Sequence, residues 1–550
     1  MPCARPTEVA STLVSVAAPA TDAAAPWWKG AVIYQLYPRS FADSNGDGIG
    51  DLAGATTRLD HVAELGCDAV WVSPFFTSPM KDFGYDVSDY RGVDPIFGTL
   101  ADFDALVARA HALGLKVLID QVYSHTSDEH EWFVESRSSR DNAKADWYVW
   151  ADPKPDGSPP NNWQSVFGGP SWTWDARREQ YYHHSFLKEQ PQLNLHLPAV
   201  QDAALDVARF WLERGVDGFR LDALNFAMHD PALRDNPANR APGKRTRPFD
   251  FQHHLHNQSH PDLTKFVERM RIVMDEYGVT FSLAEVGGEH AAREMKSFTA
   301  GPARLNSAYG FDFLYAAALT PAVVRATIAD WPGDKGEGWP SWAFSNHDAP
   351  RFASRWWAGS DRDGMVRVAL LLLACLRGNV ILYQGEELGL PQASVPFEAL
   401  RDPEAIANWP QTLGRDGART PLPWTDAPDA GFGSLAPWLP VDPVHVAMNV
   451  ADQARDPGSV LNWTRAVIAL RRVHRALRDG AIRLIDSDPG LLVFVRGEGE
   501  GALLCVFNLG DEALDAPMIV SGPVVIAVGS APDGHSISPR SGLVIRWSEA

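Results

Sequence analysis

Three stretches of this chain each run from apolar residues into an acidic one: GVDGFRLDAL with Asp222, TFSLAEVGG with Glu285 and WAFSNHDAPR with Asp348. An ionised carboxylate is costly to bury without partners or a function, so three in equivalent settings point to one site assembled from several strands. Glycosidic cleavage needs such a set, with one carboxyl protonated and one ionised on opposite sides of the bond. Arg220 stands two residues before Asp222. On a strand that spacing puts both side chains on one face, where the guanidinium can keep the carboxylate ionised, as a nucleophile requires. Glu285 follows Ser-Leu-Ala with no cation adjacent in sequence, so an apolar setting is expected to raise its pKa, as a general acid requires. Structural ion pairs at strand ends are the alternative that residue types alone leave open.

Other polar groups fall in similar places. His125 in DQVYSHTSDEH and His347 beside Asp348 end strand-like runs and could donate to sugar hydroxyls; Asp120 lies upstream of the first. Asp82 and Tyr85, in KDFGYDV, offer a carboxylate for hydroxyls and a ring for stacking. Arg419 in GRDGARTP is expected to brace Asp82. The run DSNGDGIGD at 43 to 51 is a separate signal, with oxygen ligands at Asp43, Asn45, Asp47 and Asp51 and glycines at sharp turns. Hard cations such as Ca²⁺ take alternating oxygens of this kind plus a backbone carbonyl, here that of Ile49, although the Glu that closes a full calcium loop is missing. A polar glycine-rich turn is the plainer reading, and any metal here is expected to be structural.

These residues need a scaffold that brings distant strand ends together. From residue 31 the chain alternates strand-like runs with amphipathic helical stretches, the rhythm of a parallel sheet. AVIYQLYPRSF, DAVWVSPFF, KVLIDQVYSH, VDGFRLDAL, TFSLAEVG, NSAYGFDF, PSWAFSNHD and NVILYQGEE make eight candidates. That count predicts a (β/α)8 TIM barrel, whose chemistry sits where strands hand over to the following loops. The barrel is expected over 27–125 and 197–480, with residues 126–196, rich in Trp, Pro, Asn and Gly, as an inserted domain after the third strand. Residues 230 to 260 read as a long excursion near the pocket mouth, and 386–460 as a further insertion. From 481 to 550 short strands follow one another without helices, an antiparallel β-sandwich domain.

Composition narrows the partners. The 550 residues carry 45% hydrophobic and 21% charged side chains and a net charge of -20, which argues against nucleic acid or an anionic membrane surface. A small neutral substrate suits the 20 Trp, 25 Phe and 12 Tyr, whose flat rings can hold the apolar faces of sugars. Cys3, Cys67, Cys375 and Cys505 are scattered, so no disulfide framework is expected and a reducing, cytoplasmic compartment is favoured. Residues 1–26 read as a flexible tail without the apolar block of a secretory signal. The longest apolar run, VALLLLACL at 368 to 376, falls far short of the roughly 20 residues that span a bilayer.

Taken together, DQVYSH, GFRLDAL, AEV and SNHD make the chain resemble the α-amylase family of glycoside hydrolases, in its oligo-1,6-glucosidase and α-glucosidase branch. The likeness runs from WWKGAVIYQLYPRSF to the C-terminal β-domain. It implies a retaining double displacement with Asp222 as nucleophile, Glu285 as acid and then base, and Asp348 holding substrate hydroxyls. It also implies that Asp82, Tyr85, His125, Arg220, His347 and Arg419 grip a terminal glucose, and that the 43–51 loop holds Ca²⁺ or Mg²⁺. Members of the branch commonly show QPDLN where this chain has QPQLN, with Gln192 in place of the acid. After the nucleophile, α-1,6-acting relatives usually carry Val and α-1,4-acting ones a smaller or polar residue; Ala223 favours α-1,4 substrates such as maltose. The expected activity is an exo-acting α-glucosidase on short α-glucosides, with transglucosylation as a side reaction, as a monomer or homodimer. The alternatives are a trehalose-forming or sucrose-isomerising enzyme of the same fold, or a non-catalytic transporter-associated relative, which would usually lose these carboxylates and gain a transmembrane segment.

Overall fold

The structure is a computed structural model that describes residues 25–241, 245, 247–278, 280–333, 337–357, 361–410, 414–434, 436–517, 520, 522–529 and 536–548. The expected tail at 1–26 lies almost wholly outside the described residues. Eight parallel strands close into a barrel: β1 (Val32–Leu36), β2 (Ala69–Val72), β3 (Lys116–Val122), β4 (Gly218–Asp222), β5 (Phe281–Glu285), β6 (Ser307–Tyr309), β7 (Trp339–Ala343) and β8 (Asn379–Tyr383). Each coincides with one of the eight runs picked out above. Helices cover the outside, so the strands are buried on both faces and read as continuous apolar runs instead of alternating ones.

The principal helix after each strand is α1 (Leu52–Leu65), α2 (Leu100–Ala112), α3 (Pro198–Glu213), α4 (Leu263–Asp275), α5 (Ala291–Thr299), α6 (Pro321–Asp330), α7 (Arg362–Cys375) and α8 (Val460–Val473). Their starts follow local chemistry. Asp51 caps α1 by accepting from the Gly54 amide, Thr99 and Asp102 form a reciprocal capping box at α2, and Pro198 opens α3. The nine-residue apolar run at 368 to 376 is almost entirely in α7, a core helix. Among the described residues no helix is long and apolar enough to cross a membrane.

Between β3 and α3 the chain builds a three-stranded antiparallel sheet from Trp150–Ala151, Trp172–Asp175 and Gln180–His183, with its own buried cluster around Trp163 and Trp172. At the C-terminus β9 (Ile482–Leu484), β10 (Leu491–Arg496), β11 (Leu503–Asn508), β12 (Val524–Val528) and β13 (Ser541–Arg546) form one antiparallel sheet in the order β9-β10-β11-β13-β12. Two buried arginines fasten the end of α7 and the segment after it. Arg471 of α8 donates to the carbonyls of Gly30, Ala374 and Leu376, and Arg496 of β10 to those of Cys375, Leu477 and Gly480. The three cysteines described, Cys67, Cys375 and Cys505, are free and buried.

Candidate active site

Strand register places the polar groups. Asp120 of β3 lies level with Arg220 of β4, and Glu285 of β5 level with Tyr309 of β6. Arg220 is fully buried, and three carboxylates meet its guanidinium. Nη1 donates to Asp120 and, at 2.6 Å, to Asp222 Oδ1, while Nη2 lies 2.5 Å from Glu285 Oε2. The Tyr309 hydroxyl donates to Glu285 Oε1 at 2.8 Å and accepts from Arg220 Nη2 at 3.0 Å. Trp71 Nε1 completes Asp120 at 2.7 Å. The apolar setting expected for Glu285 is therefore overturned. A cation absent from its sequence neighbourhood reaches it from the adjacent strand.

Three carboxyls around one cation leave an excess of negative charge in a dry place, and the group relieves it by keeping a proton. Contrary to the expectation that Arg220 alone keeps Asp222 ionised, burial pushes the Asp222 carboxyl well above the usual carboxylate range; Arg220 opposes this, and Glu285 and Asp120 reinforce it. Burial likewise lifts Asp120 to about 6 against the pull of Arg220. The cluster thus combines a retained proton with ionised oxygen, the pairing that glycosidic cleavage uses.

Asp348 faces this cluster in a different field. Arg419 Nη2 donates to its Oδ1 at 2.6 Å, Arg415 Nη1 at 3.3 Å, and His347 Nε2 lies 3.1 Å from Oδ2. Burial works against the charged form, but His347, Arg419 and Arg415 outweigh it and hold the carboxyl well below its ordinary value. Burial drives His347 itself down to about 3, so the ring is neutral near pH 7. Gln35 Nε2 donates to its Nδ1 at 2.8 Å, which leaves the Nε2 proton for the Tyr85 hydroxyl, 2.6 Å away, and for Asp348.

Arg419 does not brace Asp82 as expected; that contact belongs to Arg415, whose Nη2 donates to Asp82 Oδ1 at 2.8 Å. Arg415 is anchored in turn by Asp402 through Nε at 3.1 Å and Nη2 at 2.9 Å. Gln190 Nε2 donates to Asp82 Oδ2 at 3.1 Å and lies 3.0 Å from His125 Nε2. Burial lowers His125 to about 4, so it too is a neutral partner. Gln192 of QPQLN pairs with His125 through the backbone in an isolated bridge, while its side chain turns to other partners. Its side chain is buried, accepts from the Ser185 hydroxyl at 3.1 Å and donates to the Phe226 carbonyl at 2.5 Å, in the turn just after Ala223. Ala223 takes a left-handed backbone, φ 38°, and its amide points to Glu285 Oε2 at 3.3 Å.

Asp82, Asp222, Glu285 and Asp348 open into one cavity of about 1040 Å³. Asp82, Tyr85, His125, Asp348 and Arg415 line it, and Phe167, Phe186, Phe226 and Phe249 form an apolar wall that begins beside them, with Phe167 under Arg415 and Phe186 against His125. The excursion at 230 to 260 supplies much of the lining, including Arg245, Arg247, Gln252 and His254, as its expected place near the mouth requires. Sequence reasoning missed Tyr309, Gln190 and Arg415. Tyr309 lies within the sixth strand-like run, NSAYGFDF, and Arg415 in the same GRDGARTP segment as Arg419, so both were within reach of the motifs already quoted.

The 43–51 loop winds on its own side chains. Asp43 accepts from the Gly46 and Gly48 amides at 2.7 and 2.8 Å, Asn45 from Asp47 and Asp47 from Ile49, each at 2.8 Å. By count of lone pairs Asn45 and Asp47 retain capacity for a hard cation. Asp51 does not, since Ser44 and Gly54 take both its oxygens. Among the described residues no three His, Cys, Asp or Glu side chains converge as a metal cluster would.

The model of the α-amylase catalytic domain matches residues 35–480. A probable alpha-glucosidase from Rhizobium meliloti (strain 1021) is 54% identical over 495 residues, covering 88% of this chain and 90% of the relative. An oligo-1,6-glucosidase from Parageobacillus thermoglucosidasius is 36% identical over 520 residues, 88% of this chain and 91% of that one. Among solved structures, an alpha-glucosyl transfer enzyme superposes with a TM-score of 0.90 at 49% identity, covering 95% of this chain and all of the other.

Proposed function

Because the chain belongs to the α-amylase family of glycoside hydrolases, we propose that it is an exo-acting, retaining α-glucosidase that removes the non-reducing terminal glucose from short α-glucosides. The observation that carries this reading is the sharing of Arg220 between Asp222 and Glu285. Two carboxyls drawn to 2.6 and 2.5 Å from the two terminal nitrogens of one guanidinium support the close approach of a retaining pair, about 5–5.5 Å in such enzymes, over the wider gap that an inverting water needs.

In this mechanism the proton that the crowded carboxyls share rests on Glu285 in the substrate complex, so Asp222, paired with Arg220, attacks the anomeric carbon as the carboxylate while Glu285 gives its proton to the leaving oxygen. The Glu285 carboxylate then takes a proton from water, whose oxygen attacks the same carbon and frees Asp222. Asp348, ionised by its two arginines, accepts from sugar hydroxyls. Exo action is supported by the buried Asp82–Arg415–Asp348 chain of contacts with Gln190 behind it, which suits a closed end for one glucose and not a through-running groove. An α-1,4 preference is supported by Ala223, whose small side chain beside the nucleophile leaves room for the leaving sugar that a β-branched one would crowd.

Transfer to an alcohol in place of water is a second reading, favoured by the likeness to the alpha-glucosyl transfer enzyme. A panel of maltose, isomaltose, sucrose and trehalose, with products followed by NMR, tests all of this. The first-formed glucose is expected as the α-anomer, fastest from maltose. β-Glucose would overturn retention, and accumulation of trehalose or an isomerised sucrose would overturn hydrolysis.

The 43–51 loop is assigned a structural Ca²⁺ or Mg²⁺ on Asp43, Asn45, Asp47 and the Ile49 carbonyl, with Asp51 serving as the cap of α1 instead. A chelator should then lower the melting temperature and Ca²⁺ or Mg²⁺ restore it; an unchanged melt with no metal in elemental analysis would remove the ion. Three buried free cysteines fit the reducing cytoplasm, where we place the enzyme.

A further inference from the structure

Beside the catalytic cavity lies a second, shallower one of about 620 Å³, between the inserted sheet region and the 230 to 260 excursion. Asn162, Gln164, Asn236, Arg247, Phe251 and Gln252 line it, and Arg247 and Gln252 line the catalytic cavity as well. We propose that this groove binds the far sugar of the leaving group, a neutral hexose unit beyond the one next to the cleaved bond. The inference rests on the α-glucosidase reading of the main site.

The lining has the chemistry of a sugar site. Four of the six side chains named are amides, which both donate to and accept from hydroxyls. Phe251, 52% exposed, offers a flat apolar surface for a pyranose face, and Arg245 lies 5.4 Å over its ring and holds it in place. The amides form a rigid frame: Asn162 Nδ2 donates to the Asn236 carbonyl and Asn162 Oδ1 accepts from the Asn236 amide, both at 2.8 Å. Gln252 Nε2 is fixed on the Asn162 carbonyl at 2.7 Å, which leaves its buried Oε1 with no hydrogen-bond partner.

Charge selects a neutral occupant. Arg247 in the lining is already engaged by Asp250 at 3.0 Å and Glu404 at 3.7 Å, and Arg245 beside it is committed to the Phe251 ring and to the Asn239 and Ala241 oxygens. An anion would have to displace these partners, and nucleic acid would also meet the net charge of -20. The volume falls within the range of small-molecule sites, about 300–1,000 Å³. A glucose at Asp222 and a second unit against the aromatic wall bring a third unit to the boundary that Arg247 and Gln252 share.

The test compares Phe251→Ala and, separately, Gln164→Ala with the unaltered enzyme, neither residue lining the catalytic cavity. Expected is a five- to tenfold loss of kcat/KM for maltotriose, about the effect of losing one aromatic contact, with maltose and p-nitrophenyl α-glucoside unchanged. Titration of maltotriose into the Asp222→Asn protein, with and without Phe251→Ala, should show the same loss in affinity, with maltose binding unaltered. An equal effect on maltose and maltotriose, or none on either, overturns the groove. An enzyme that cleaves no α-glucoside overturns the main reading instead, while Phe251-dependent binding of maltotriose would still support the groove.

Discussion

Asp222 and Glu285 hang on two nitrogens of one guanidinium, so their difference in role has to come from what else each touches and from the substrate. Asp222→Asn should lower turnover by at least about a thousandfold while the melting temperature stays near that of the native protein. Retained activity would remove Asp222 from the nucleophile role. Glu285→Gln should lose about 10²–10⁴-fold on maltose and clearly less on p-nitrophenyl α-glucoside, whose leaving group needs little protonation. Equal losses on both substrates would mean that Glu285 is not the acid. The positions of these carboxylates were legible in sequence because each ends an apolar run. The shared arginine was not, since contact across β4 and β5 depends on the pairing of Leu283 with Arg220, residues 63 positions apart, and no local pattern encodes that register.

At the level of elements, the same register makes some backbone positions intolerant. Gly218 opens β4, and a Cβ there would stand 2.0 Å from the Phe281 carbonyl of β5 and 2.9 Å from Leu118 of β3. Gly218→Ala should therefore part the strands that carry Asp222 and Glu285. The expected cost is about 1–3 kcal/mol or more in denaturant unfolding, with activity falling along with it. A variant as stable and active as the native enzyme would show that β4 can shift freely. The eight strands themselves were readable because parallel strands buried on both faces are short apolar runs bounded by turns, and the intervening helices carry ordinary caps. The cavity lining was less readable. Phe186, Phe249 and Gln190 sit in irregular segments, where position follows from packing and not from period.

Across the whole molecule, the inserted region meets the barrel side through a histidine cluster. His183 is fully buried between Trp163 and Trp172, both ring nitrogens lack hydrogen-bond partners, and His229 lies 6.4 Å away ring to ring. Burial, with His229 and His184 nearby, holds the His183 pKa well below 6.5. In the unfolded chain the ring takes a proton as pH falls through about 6.5, while the folded protein refuses it. The contribution of His183 is therefore intact above that pH and is lost at up to about 1.4 kcal/mol per pH unit below it. His183→Phe should match the native melting temperature most closely near pH 8 and gain on it steadily from pH 6.5 to 5; a pH-independent difference would sink the idea. Arg220 has a longer-term consequence. Its one side chain ties β3, β4 and β5 together through Asp120 and the two carboxylates proposed for chemistry, so losing the arginine alone would strand three buried acids, an imbalance that the barrel must absorb. A lineage of this protein drifting toward a non-catalytic role would be under pressure to discard arginine and acids together. A surviving Arg220 would then mark descendants that still depend on turnover.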